Sequence, residues 1–314
     1  MDTYAVVAPE RGTLMRVPEP RVGADQALVR VVVNGICASD LATWSTPQRQ
    51  YPIFLGHEPV GEVIEAGPGL SIPVGSMVTG RFGPSLAELV VAAAEDLVVI
   101  PDGLDPAHAL GEPLGCVVEA FRRTPVRVGD RVAVVGVGFM GLLMLQLLAR
   151  SPQAALVAID PRADARAAAL HHGADLCLDP SEVPPEFTVD DVEADPSGGF
   201  DVVVEATGAQ AALSLATTLV RPHGVLCILG YHQGARMVDM RLWNFKALEV
   251  VNGHVRDREL LRRSIERGLK LLSAGRVSLA NLVTNRLPLS QVDDGFAALR
   301  DKPEGFLKAV ITVP

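Results

Sequence analysis

Three short segments of this chain carry side chains that do chemistry. The first is Asn34-Gly35-Ile36-Cys37-Ala38-Ser39-Asp40, which sets a thiol, a hydroxyl and a carboxylate side by side. The second is Leu55-Gly56-His57-Glu58-Pro59-Val60-Gly61, an imidazole next to a carboxylate. Thiolate, imidazole and carboxylate are the donors zinc prefers. Singly, a cysteine after a strand is usually core and a His-Glu pair a satisfied loop, so the weight lies on their joint occurrence. The third segment runs from Arg131 to Gly141 and spells G-x-G-x-x-G with Gly136, Gly138 and Gly141 directly after a β-branched run. Gly136 permits a tight turn, Gly138 lets backbone approach a pyrophosphate, and Gly141 lets a helix pack on the strand. Phe139 and Met140 lie within the motif ahead of that helix, whose N-terminus offers free N–H groups and partial positive charge to phosphates. Asp160 follows about 20 residues on, where an acid bonds a ribose 2′-OH and repels a 2′-phosphate. That favours NAD over NADP, and Arg162, two residues later, works against the preference. Ala206, Thr207, Gly208 and Gly230 are expected to line the dinucleotide from later strand ends.

The elements that must position these residues change character along the chain. The first third reads as short strands, Val29 to Val33, Leu89 to Val91 and Leu97 to Ile100, punctuated by Gly67-Pro68-Gly69, Pro73, Gly75 and Gly83-Pro84. This predicts a partly open β-barrel or a distorted antiparallel sheet. From Asp130 on, strands at Arg131 to Val135, Ala155 to Ile159, Asp201 to Glu205 and Val225 to Leu229 alternate with helices at Gly141 to Arg150 and Pro161 to His172. Such alternation means βαβ units and a parallel sheet. Pro180 to Gly199 is polar and acidic and reads as a surface excursion. A helix through Leu260 to Leu272 and a strand at Leu307 to Val313 close the chain. The nucleotide-binding domain is thus inserted between the front of the chain and its tail.

Together the Cys-x-Ser-Asp, Gly-His-Glu and glycine motifs, in this order, resemble the zinc-dependent medium-chain dehydrogenase/reductase (alcohol dehydrogenase) family. The resemblance covers almost the whole chain, including Val283 to Leu289, and is nearest to the sorbitol and polyol dehydrogenase branch. It implies an α/β fold: a Rossmann doubly wound parallel sheet at 116–257 inserted into a β-rich, GroES-like catalytic domain at 1–115 and 258–314. By the same resemblance Cys37 and His57 bind one catalytic zinc. Glu58 and Glu112, the latter in Glu112-Pro113-Leu114, supply the remaining or exchangeable positions, with Cys116 the rival to Glu112. Ser39 matches the hydroxyl that relays the substrate proton, and Asp40 the acid that orients the metal-bound histidine. The implied reaction passes hydride between a secondary alcohol of polyol, cyclitol or amino-cyclitol type and NAD. Trp44, Tyr51, Phe54 and Arg286 are expected around the substrate.

Three departures qualify the resemblance. Ala42 stands where many relatives carry a histidine, so the proton path beyond Ser39 must differ. Gly80 to Glu88 holds no cysteine, so no structural zinc is expected. The chain is also short for the family, with trimmed loops in the first domain, where specificity resides. Two other readings compete: a zinc-free quinone or enone reductase, and a non-catalytic NAD(H)-binding sensor. The intact metal motifs argue against the first, and Ser39 beside them against the second.

Bulk properties narrow the partners. A net charge of -9 over 314 residues does not suit nucleic acid or an anionic membrane. The apolar run Val132 to Ala149 is interrupted by glycines and reads as strand-turn-helix, and no leader segment is visible. A cytoplasmic protein is expected, acting on a small hydroxylated molecule. Its four scattered cysteines form no disulfide framework. Family relatives imply a homodimer or homotetramer, with Leu248 to Val255 as a candidate edge strand.

Overall fold

In a computed structural model, which describes residues 1–190 and 198–314, the chain forms two compact units. Met1–Gly115 with Arg256–Pro314 make one, and Cys116–Val255 the other.

In the first unit the β-branched run lies within the strand Gln26–Gly35, the spine of a seven-stranded sheet. It pairs antiparallel with Pro59–Ala66, Leu89–Ala93 and Lys308–Thr312. Alternate residues Val29, Val31 and Val33 are almost wholly buried, as period-two packing demands. Met77–Gly80 and Leu97–Val99 continue the sheet on one side and Val283–Pro288 on the other. A three-stranded sheet of Arg11–Arg16, Asp2–Ala8 and Ile53–Phe54 completes the β-structure. The core between these layers holds Val6, Val31, Trp44, Phe82 and Phe296.

Register, more than strand content, builds the site. Asn34 pairs with Pro59, so residues just past Gly35 and just before Pro59 meet at one end of the sheet. Val310 pairs with Gly35, which carries Lys308 alongside that same end. Chain immediately after the spine turns into helix α1 (Ala38–Ser45), with Cys37 as its N-cap residue. A second helix, α2 (Gly111–Arg123), begins in the first unit and continues into the second.

The second unit is a parallel sheet of six strands in the order Leu176–Leu178, Ala155–Ile159, Arg131–Val135, Phe200–Glu205, Val220–Ile228, Glu249–Asn252. Numbered along the unit this is 3-2-1-4-5-6, the doubly wound order with a switch point beside Arg131–Val135. Helix α3 (Phe139–Leu148) is buried on nearly every face. It therefore reads as an apolar run and starts two residues before its expected Gly141. Helix α4 (Ala163–His171) follows the second strand. Among the described residues Glu249–Asn252, inside the expected edge segment, pairs only with Val220–Ile228 and is an edge strand. The expected excursion Pro180 to Gly199 lies partly outside the described residues. No helix among the described residues is long and apolar enough to cross a membrane.

Candidate functional site

Cys37, His57 and Glu58 converge at the end of the spine strand. One ligand atom from each lies within 4.8 Å of the other two. Cys37 caps α1, and this places Ser39 and Asp40 in the first helical turn beside it. Ser39 Oγ donates to Cys37 Sγ at 3.2 Å and stands 3.4 Å from His57 Nε2. On the far side of the imidazole, Nδ1 is 3.2 Å from Asp40 Oδ2. Asp40 at Nδ1 orients the ring so that Nε2 faces the thiol and hydroxyl, the orientation a metal ligand needs.

Glu58 is 1% exposed. Its room comes from a residue without a side chain: a Cβ on Gly35 would sit 2.0 Å from Glu58 Oε2. Lys308 Nζ lies 2.6 Å from that oxygen and donates to Ile36 O at 2.8 Å. The two form a buried ion pair. A buried carboxylate next to a thiol and an imidazole fits zinc by the chemistry of the donor set.

Electrostatics in this cluster are coupled. Burial pushes the Cys37 thiol up, and the charge of Glu58 adds to it. Burial alone would pull His57 down, but hydrogen bonds to Asp40 and Cys37 outweigh it and lift the imidazole to about 11. Lys308 follows the same pattern: desolvation is opposed by Glu58 and Cys37, and the ammonium is held above its ordinary range. Lys308 thus places a buried cation directly against Glu58. Sequence reasoning missed this lysine. Its only signal is an isolated cation in an otherwise apolar terminal strand.

Glu112 stands apart from the triad. It is buried in the first turn of α2, and its charge contributes to raising Lys308. Neither Glu112 nor Cys116 joins the 4.8 Å cluster found among the described residues. Ala42 offers no side-chain relay, and its carbonyl accepts from Thr46 N and Oγ1.

A cleft of about 640 Å³ within the first unit reaches the cluster through His57 and Asp40. Phe54 lines it, but the other residues expected around a substrate do not. Trp44 is 2% exposed, stacks on Phe296 and donates to Asp293 Oδ1 at 2.7 Å, which makes it core. Tyr51 packs against the same core, and Arg286 turns to His108 and Asp105.

In the second unit the glycine-rich segment forms the turn between Arg131–Val135 and α3. Gly136 adopts φ +89°, and a Cβ there would meet Thr207 Cγ2 at 2.2 Å, so only glycine suits the turn. Gly138 is the N-cap of α3, and Phe139, Met140 and Gly141 form its first turn. Asp160 is 6% exposed; its Oδ2 accepts from Val137 N and its Oδ1 from Arg162 N, each at 2.9 Å. It therefore ties the turn to α4, with lone pairs in reserve for a ribose hydroxyl. The Arg162 side chain packs over Gly138, with Nε 3.5 Å from Asp160 Oδ1.

Thr207, Gly208 and Gly230 share an anchor that sequence reasoning overlooked. Glu205, fully buried, accepts from Thr207 N at 2.7 Å, from Thr207 Oγ1 and from Gly208 N at 2.9 Å. His232 Nε2 sits 2.9 Å from its other oxygen, and Gly230 N donates to its carbonyl.

Comparison with known proteins adds an independent line. Residues 23–102 match the family model described as an alcohol dehydrogenase GroES-like domain, and residues 131–273 the one described as a zinc-binding dehydrogenase. The chain is 28% identical to L-threonine 3-dehydrogenase of Pyrococcus abyssi, over 91% of each chain. It is equally 28% identical to a sorbitol dehydrogenase of Halalkalibacterium halodurans, over 94% of this chain and 96% of that one. A zinc-binding dehydrogenase structure from Sinorhizobium meliloti, solved with NADP, superposes with a TM-score of 0.83 at 25% identity, covering 99% and 98% of the two chains.

Proposed function

This chain belongs to the zinc-type medium-chain alcohol dehydrogenase family, and on that premise we propose that it transfers hydride between a secondary alcohol of polyol, cyclitol or amino-cyclitol type and NAD. The observation that carries the reading is the convergence of Cys37, His57 and Glu58, with Asp40 behind the imidazole and Ser39 in front of it. In this reading 1–115 and 258–314 form the catalytic domain and 116–257 the dinucleotide domain.

Cys37 and His57 hold one zinc, with Glu58 or Glu112 completing or exchanging at the remaining position. When bound, the metal supplies Lewis-acid polarisation of the substrate oxygen and so lowers the alcohol's pKa. Ser39 Oγ takes the hydroxyl proton and passes it to water or a ribose hydroxyl, since Ala42 offers no side chain for the next step. Asp40 keeps the imidazole in the ligating orientation, and Lys308 balances the charge of Glu58. The Gly136–Gly141 turn and the α3 N-terminus hold the pyrophosphate, with Asp160 on the adenosine ribose and Thr207, Gly208 and Gly230 along the dinucleotide. The hydride chemistry belongs to the cofactor; the protein orients the two carbons. We place the protein in the cytoplasm as a homodimer or homotetramer joined through the edge strand Glu249–Asn252.

The test is nicotinamide reduction followed with zinc-loaded protein, NAD or NADP, and a panel of polyols and cyclitols. Turnover on secondary alcohols with NAD ahead of NADP is the expected result. Absence of hydride transfer from every alcohol, by protein that holds zinc and binds NAD, contradicts the reading.

A further inference from the structure

The cleft that reaches His57 and Asp40 carries cations that the chemistry above does not use. Four arginines line it: Arg81, Arg256, Arg258 and Arg262. Two are neutralised within the protein. Arg258 pairs with Glu95 at 2.5 Å and with Asp96 at 3.7 Å. Arg262 pairs with Glu259 at 2.8 Å and with Glu266. Arg81 and Arg256 have no ion pair or hydrogen bond to their guanidinium groups among the described residues, and both are exposed. The acids that could answer them are engaged: Glu95 and Asp96 face Arg258, and Asp40 faces His57. Arg81 feels Asp96 only at longer range. Phe54, Leu55 and Phe82 line the same cleft and give it apolar surface suited to a carbon chain. In a chain of net charge -9, two unanswered cations in the cleft that reaches His57 are a local reversal of sign.

We infer that the substrate is a phosphorylated polyol, with its phosphate monoester held by Arg81 and Arg256 and its carbinol end turned to His57; this rests on the alcohol-oxidising reading above. A phosphate monoester carries roughly -1.5 to -2 at neutral pH, which two guanidinium groups match and one carboxylate would not. Guanidinium forks bind such oxygens bidentately, so arginine rather than lysine suits the task. The cleft volume of about 640 Å³ lies within the usual range of small-molecule sites.

Calorimetric titration of the zinc-loaded protein with a hexitol and with its terminal phosphate monoester tests this apart from turnover. The phosphate should bind at least about tenfold more tightly than the hexitol, and raising salt should erode the difference. R81Q and R256Q should each collapse that ratio by roughly tenfold, and R81K with R256K should restore part of it. Equal binding of the two ligands, or a ratio unmoved in both glutamine variants, overturns the inference. Should the ratio hold while no alcohol is oxidised, the anion site stands and the dehydrogenase reading falls. Should neutral polyols turn over with no preference for the phosphate, the dehydrogenase reading stands and this inference falls.

Discussion

The metal-ligand cluster of the first unit and the glycine-rich turn of the second hold their chemistry by opposite means. The cluster is made of charged and polar side chains, drawn from three places in the chain by sheet register and buried against one another. The turn is one contiguous segment whose backbone does the work, and its side chains matter mainly by being absent. A site of the first kind fails when a donor or a counter-charge is removed. A site of the second kind fails when an atom is added.

Breaking the cluster at a donor should give the largest effect. Cys37→Ser or His57→Ala should lose the metal and lower turnover by about 10³-fold or more, the scale of several kcal/mol of Lewis-acid stabilisation. NAD affinity, measured by fluorescence titration, should change little. Parallel loss of NAD binding would show that the two regions are not separable.

Removing the counter-charge sharpens the same contrast. Lys308→Met leaves Glu58 buried without its cation and should cost roughly 3–5 kcal/mol in denaturant unfolding. Adding Glu58→Gln should recover much of that loss. A single variant as stable as the parent would mean that the pair carries no stress.

Adding an atom tests the turn. Gly136→Val forces a β-branched residue to positive φ and into Thr207, a strain of at least about 1–3 kcal/mol. NAD binding should fall by tenfold or more while zinc content stays at the parent value. The smallest effect is expected at Asp160, whose carboxylate already serves two backbone amides. Asp160→Ala should weaken NAD severalfold and narrow the gap to NADP, roughly the loss of one or two charge-assisted hydrogen bonds. An unchanged cofactor preference would leave Asp160 a purely structural tie.

The same contrast explains what could be read in the residues alone. The glycine turn is contiguous, so its spacing shows it directly, and Cys37, His57 and Glu58 declare themselves by donor type. Lys308 is brought in from the far end of the chain by the pairing of Val310 with Gly35, which no local pattern encodes. Glu205 hides because it ends a mostly apolar strand, and its partners, Thr207, Gly208 and His232, come from the turns beyond strand ends rather than from any local motif. Helix α1 is short and holds Ser39, Asp40 and Thr43, weak helix formers whose positions tertiary packing decides. Helix α2 contains Gly111, Pro113 and Gly115, which read as punctuation. Trp44 illustrates the converse: an aromatic near the ligand motifs looks like a pocket wall until Asp293 and Phe296 are found to enclose it.

The proposed chemistry requires the Cys37, His57 and Glu58 cluster to be a working zinc site. The most direct measurement is metal content per chain by elemental analysis, on protein purified without chelator or added metal. About one zinc per chain is expected in the parent, and close to none in Cys37→Ser. A parent chain that carries no zinc and takes up none on addition would contradict it.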